Sequence, residues 1–348
     1  MNSFRLRHWA RTLIGSAYAT KHRCPWVPHW QFTLDTHFDH ADIDAEIARI
    51  AAEDWVLPLV KGHPDLAKIR NRYTSDIASS RASGDDRSSV ASARQLASLD
   101  MRDGATFKLF TVMLTRLNAA ALQAARASLK SNVVMHISCV PRLVRAATSI
   151  GSFARVETFG ISQIVVVGSE HKNEYSFDRD SMTLTVPAPD SYEHLPGKLI
   201  AAMAFLGLCG QVEAVLKVDD DHCLKSGTAL LRAMNRVRRA MPVQAGELVD
   251  SGALGLHSRT WHFGKTTDKA LGTRPHSLIG PSRWANGAAG YLINAASLRL
   301  MYWSYVYFEE QIARSLYEDM VVSDLIERQG GYLLDIPMDR ILSAVEEY

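Results

Sequence analysis

Apolar positions in the first third of the chain recur at helical spacing. Ile43, Ile47, Ile50 and Trp55 fall three to five residues apart and predict an amphipathic helix that Asp42 is placed to cap. Residues 79–94, SSRASGDDRSSVASAR, are small and polar, and they predict a loose surface loop or linker. An alanine-rich stretch from about Thr106 to Lys130 predicts one long helix, with Leu109, Met113, Leu117 and Ala121 along one face. Residues 1–130 thus read as a helical N-terminal region.

The pattern changes at Asn132. VVMHISCV (133–140), QIVVVGSE (163–170), SMTLTVPAP (181–189) and EAVLKVDDD (213–221) are short apolar runs that predict buried strands. Between them, helical patterns run through Arg145 to Phe153 and over 197–210, and a further helix is expected over 226–241. Strands alternating with helices mean an α/β domain over 131–348, its mainly parallel twisted sheet covered by helices on both faces. No internal repeat is visible.

Composition narrows the class. The 348 residues are 47% apolar and 22% charged, as in a globular protein, and the net charge of +2 argues against a nucleic-acid partner. Cys24, Cys139, Cys209 and Cys223 form no CxxC pair, which argues against a zinc site and for a reducing, cytoplasmic compartment. The longest apolar run, Leu199 to Gly210, is well short of the roughly 20 residues a membrane crossing needs. The N-terminus carries Arg5, Arg7 and Arg11 among Phe4, Leu6, Trp9, Leu13 and Ile14. That pattern fits an ordinary surface helix or a basic amphipathic helix in peripheral contact with a membrane.

Chemistry concentrates at VLKVDDDH (215–222), an apolar run ending in three carboxylates. In open α/β sheets ligands gather at the carboxyl ends of strands. Three adjacent carboxylates repel one another unless a divalent cation, Mn²⁺ or Mg²⁺, joins them. Asp219 and Asp221 have the D-x-D spacing of many nucleotide-sugar transferases; a solvated acidic loop is the plain alternative. FGKT (263–266) is not a P-loop, because its first glycine would fall on Arg259, and no G-x-S-x-G, HExxH or EF-hand pattern occurs.

Three further segments carry a resemblance. PDSYEHLPGKLIAAMAFL (189–206) resembles the DSYxNLTxKT segment of the inverting β-1,3-glycosyltransferases, through Asp190, Ser191, Tyr192, Leu195 and Lys198. That family includes β-1,3-galactosyltransferases, β-1,3-N-acetylglucosaminyltransferases and Fringe, of GT-A fold. RWANGAAGYLINAASL (283–298) is similar to its YCSGTGYVLS segment, and SLYEDMVVSDLIERQGGYLLD (315–335) to its LEDVYVGLCLRKLGI segment. The order is the family's, over about residues 132–340. Asn286-Gly287-Ala288 replaces Cys-Ser-Gly, and Ser323 replaces a glycine.

The resemblance implies a metal-dependent inverting transfer of a hexose, galactose or N-acetylglucosamine, from a UDP-sugar to a glycan or lipid-linked saccharide. A β-1,3 linkage in a bacterial cell-surface polysaccharide is the implied product. It assigns the general base to the Glu318-Asp319 pair, Asp319 for preference, with Glu318 positioning it. Asp219 and Asp221 would hold the metal, Asp220 the ribose or sugar, Lys198 the diphosphate, and Ser138 and Arg142 the uridine. Gly287 and Gly290 would admit the donor or serve a turn, Trp284 and Tyr291 would stack on sugar or pack in the core, and His262, or His222, would reach the pyrophosphate or metal. Two other classes remain open on the residues: a nucleotidyltransferase, which also uses strand-end aspartates, and a degenerate glycan-binding or scaffold module.

Overall fold

The computed structural model describes residues 40–52, 66–99, 105–170, 173–239, 241–250, 256–279 and 281–344. The basic N-terminal segment, Cys24 and Trp55 lie outside the described residues. The chain divides into two compact units, Met1–Phe110 and Thr111–Tyr348.

The first unit holds α1 (His40–Ala52), α2 (Leu66–Ala82) and α3 (Asp86–Leu99). Ile43, Ile47 and Ile50 are buried, as their spacing requires. The helix begins at His40, so Asp42 lies within it instead of capping it. The stretch 79–94, expected as a loop, is almost wholly helical. Only Ser83, Gly84 and Asp85 separate α2 from α3, with Gly84 at φ +75° in the left-handed region that reverses the chain. Asp85 Oδ1 accepts the Ser88 N–H at 3.1 Å, capping α3. Ser89, Val90, Ala93, Leu96 and Ala97 are buried, as is Ile77 of α2. The small polar residues mark a close helix contact, which their composition disguises as a linker.

In the second unit the single helix expected over 106–130 is two: α4 (Ala105–Leu117), which the division between units crosses, and α5 (Ala119–Ser128). The break is at Asn118. Its Nδ2 donates to Leu114 O at 2.9 Å and Asn173 O at 3.0 Å, and its Oδ1 accepts the Tyr175 N–H at 2.7 Å. An asparagine side chain that competes for backbone groups in this way ends a helix locally.

Strands and helices then alternate. In chain order they are β1 (Asn132–Ile137), α6 (Leu143–Ser152), β2 (Ile161–Gly168), β3 (Ser176–Asp178), β4 (Thr183–Val186), α7 (Leu195–Cys209) and β5 (Ala214–Asp219). Next come β6 (His222–Leu224), α8 (Gly227–Val237), β7 (Val243–Gly246), β8 (Leu248–Asp250), β9 (Leu256–Arg259), β10 (His276–Ile279), β11 (Arg283–Ala285) and β12 (Tyr291–Asn294). The unit closes with α9 (Ala295–Tyr307), α10 (Glu309–Ala313), α11 (Glu318–Arg328), β13 (Tyr332–Asp335) and β14 (Leu342–Ala344).

Eight strands form one sheet in the order β13-β7-β12-β5-β1-β2-β4-β3. The pairs β5–β1, β1–β2, β2–β4 and β13–β7 are parallel, and β12 runs antiparallel between β5 and β7. The architecture is α/β with a mixed, mostly parallel sheet flanked by helices. One face packs on α8, through Leu230, Ala233 and Met234 against Val134, Leu216, Val218 and Leu292. The longest apolar run is α7, buried from Leu199 to Cys209 and apolar all round, which is the mark of a core helix. It crosses α9 closely, for a Cβ on Gly207 would lie 2.9 Å from Leu298 O. No described helix is long and apolar enough to cross a membrane.

Candidate functional site

The site forms where the parallel strands end. Ile137 of β1 is in register with Asp219 of β5, so Ser138 and the Asp219–Asp221 run emerge side by side. Tyr291 at the start of antiparallel β12 is in register with Lys217. This brings the glycine turn 287–290 to the same sheet edge, and the first turn of α11 lies against it.

The three aspartates divide their work. Asp220 is buried and accepts from Ser138 Oγ at 3.1 Å, with Arg142 Nη1 4.0 Å away. Burial raises its pKa, partly offset by the Ser138 hydrogen bond. Asp219 and Asp221, two residues apart, are more exposed than Asp220 and share a cluster with His222 whose candidate ligand atoms lie within 4.8 Å of one another. His222 Nε2 lies 3.0 Å from Ala288 O and donates to it, so Nδ1 is the accepting nitrogen, 3.2 Å from the Asp219 N–H.

The side chain that ties the site together is Lys217, which the sequence pattern hid inside an apolar strand. It is fully buried, with Nζ 2.8 Å from Asp219 Oδ1, 2.9 Å from Glu318 Oε1 and 3.2 Å from Gly287 O. Burial alone would lower its pKa, yet the Asp219 and Glu318 carboxylates hold it well above the usual lysine range. Lys217 thus ties Asp219 to Glu318 at the start of α11.

Asp319, the next residue, is only partly covered. Its Oδ2 accepts the Gly287 N–H at 2.9 Å and its Oδ1 the Met320 N–H at 2.8 Å. Burial and the neighbouring Glu318 charge push its pKa up to about 7, against the pull of those hydrogen bonds and of Lys217. A carboxylate poised near neutrality in a cleft is a candidate general base. Gly287 makes this packing feasible, since a Cβ there would lie 2.6 Å from Glu318 Oε1. The close approach expected at this glycine is thus made to the protein's own carboxylates. Gly290, at φ +74°, lets β12 approach β5, where a Cβ would lie 3.0 Å from Lys217 O.

Other expected residues take supporting places. Lys198 is buried and donates to Ser138 O at 2.6 Å and Asp190 Oδ1 at 3.0 Å. It braces the strand edge through these two bonds. Asp190 joins the ends of β1 and β2, accepting from the Val140 N–H at 2.7 Å and the Gly168 N–H at 2.8 Å. His262 is fully buried with both nitrogens engaged: Nδ1 is 2.8 Å from the Tyr317 hydroxyl and Nε2 2.9 Å from Leu271 O. It pins the loop after β9 to the start of α11 and does not join the carboxylate cluster. Trp284 packs in a small core with Leu316, Tyr317 and Met320. Tyr291 is buried against Lys217, and its hydroxyl has no hydrogen-bond partner among the described residues. Ser323, where the resembled family has glycine, sits 2.6 Å from Gln244 Oε1 and accepts the Ala285 N–H at 3.3 Å, locking α11 to the sheet.

No family model matches the chain, and a comparison with curated proteins finds no match.

Proposed function

We propose that this protein is a metal-dependent inverting glycosyltransferase of GT-A-like fold. In this reading it moves a hexose, galactose or N-acetylglucosamine, from a UDP-sugar to a hydroxyl of a glycan or lipid-linked saccharide. A β-1,3 linkage in polysaccharide synthesis at the cytoplasmic side of the cell surface is the product class. The observation that carries the reading is one sheet edge with two chemistries: the Asp219-Asp221-His222 cluster and, next to the Glu318 that Lys217 ties to that cluster, an Asp319 carboxylate poised near pH 7.

Two carboxylates suit Mn²⁺ or, with added water, Mg²⁺, so Asp219 and Asp221 would hold the cation, and His222 would join them where its Nδ1 exchanged the Asp219 N–H for the metal. When bound, such a cation neutralises charge on a departing diphosphate. The buried Tyr291 hydroxyl, without a hydrogen-bond partner among the described residues, fits a polar ligand or water beside the cluster. Ser138, which donates to Asp220, and Arg142 beside it would take the nucleoside.

Asp319 takes the proton of the acceptor hydroxyl. That oxygen forms the new bond to the anomeric carbon from the face opposite the leaving group. The bond from that carbon to the diphosphate oxygen breaks, and UDP leaves with its electron pair. Glu318, neutralised by Lys217, holds the first turn of α11 in place and is not free to act as the base.

Calorimetric titration of UDP with Mn²⁺ and with EDTA tests the donor site. Binding is expected to need Mn²⁺ and to be lost in Asp221→Ala; no binding under either condition overturns the reading. Release of pyrophosphate in place of UDP during turnover would assign the site to nucleotidyl transfer.

A further inference from the structure

A cavity of about 360 Å³ lies between the segment after Asp190, the loop joining β9 to β10 and the turn joining α10 to α11. Its volume is in the range of small-ligand pockets. Ser191, His194, Thr267 and His276 bring donors and acceptors to it, and Leu271 and Leu316 bring apolar surface. Such a mixed wall suits a sugar, which carries hydroxyls at its edges and apolar C–H faces.

The cavity's walls lead to the reacting groups. Leu316 is two residues before Glu318, and Ser191 precedes Tyr192, whose phenol is raised in pKa by burial and then by the charges of Glu318 and Asp319 among others. On its other side Tyr317 carries an aromatic platform. His276, a cavity residue, meets the Tyr317 ring edge-on at 5.8 Å, and Trp261 meets the same ring at 5.4 Å. Trp261 is 47% exposed, the largest apolar side chain and yet left open to solvent. Its turn is held rigidly, because the next residue, His262, is fully buried with both nitrogens bonded. The Arg259 guanidinium lies over the indole at 4.9 Å, and the rest of this half-exposed ring, on a fixed turn and linked through Tyr317 to the cavity residue His276, is a preorganised surface for the apolar face of a sugar ring.

We infer that this cavity is the acceptor subsite, that it takes a saccharide of at least two rings, and that Trp261 stacks on one ring while the other fills the cavity. The inference rests on the transferase reading for its role, though not for its binding chemistry. Neither the cavity nor Trp261 could be found from spacing, since the contributing segments lie far apart in the chain.

The test uses the full chain and four probes: lactose, cellobiose, N-acetyllactosamine and chitobiose. Each is titrated while tryptophan emission and ligand-observed saturation-transfer NMR are recorded. At least one probe is expected to bind and to blue-shift the emission. Affinity should fall at least tenfold in Trp261→Ala and, separately, in Ala313→Trp, which fills the cavity from an exposed lining position. Thermal melts of both variants establish that they fold. No binding by any probe up to tens of millimolar overturns the inference, and so does binding unchanged in both variants. The UDP titration is read apart from this one. Saccharide binding without UDP binding sinks the transferase reading and leaves the cavity standing; UDP binding without saccharide binding does the reverse.

Discussion

At Lys217, burial and charge oppose each other. A fully buried ammonium is costly, and here two carboxylates and a carbonyl satisfy it. Lys217→Met leaves Glu318 buried without its partner and should cost about 3–5 kcal/mol in chemical denaturation. Adding Glu318→Gln removes the orphaned charge, and most of that loss should return. A double variant as unstable as the single one would refute the pairing.

Asp319 gives the pH prediction. A general base must be ionised, so transfer should rise with pH through about 7. The stability sign runs the other way. The folded-state pKa is raised, so the protonated carboxyl contributes stability that is full at acid pH and is lost as pH climbs through about 7. Asp319→Asn should flatten that part of the stability profile and lower transfer by roughly 10²–10⁴-fold. A variant that retains full transfer would remove Asp319 from the role of base.

Among elements, the contact between the 287–290 turn and α11 sets the geometry of the site. Gly287→Ala would place a methyl 2.6 Å from Glu318 Oε1 and 3.0 Å from Asp319 Cβ. The start of α11 must move, at a cost of roughly 1–3 kcal/mol. A displacement of that kind should also lower turnover by about 10²-fold. A variant with unchanged melting and turnover would show that the turn is loose. The strands and α7 were legible in the sequence because an apolar run between turn signals leaves few alternatives. The α2–α3 hairpin was not, because alanine and serine in a close helix contact look like a linker until the partner helix is known. The break at Asn118 was missed for a similar reason: its partners Asn173 and Tyr175 are more than fifty residues away.

For the whole molecule, mass action supplies the measurement. A ligand that binds only the folded chain stabilises it by about 2.7 kcal/mol at a hundred times its Kd. UDP with Mn²⁺ should therefore raise the melting temperature, and UDP with EDTA should not. EDTA alone should leave the melting temperature unchanged, because Lys217 already neutralises carboxylate charge at the strand edge. A fall in melting on chelation would show instead that a cation is part of the fold.

The sequence by itself determined the strand and helix alternation, the acidic strand end and the Glu318-Asp319 pair, since each is written in contiguous residues of fixed spacing. Only the tertiary structure decided which carboxylate is paired with a lysine and which is held by backbone N–H groups alone. That choice depends on a buried lysine from β5 reaching a helix a hundred residues later, and on a glycine turn that closes on both acids. It also showed what Lys198 and His262 touch, because burial brings together groups that spacing keeps apart.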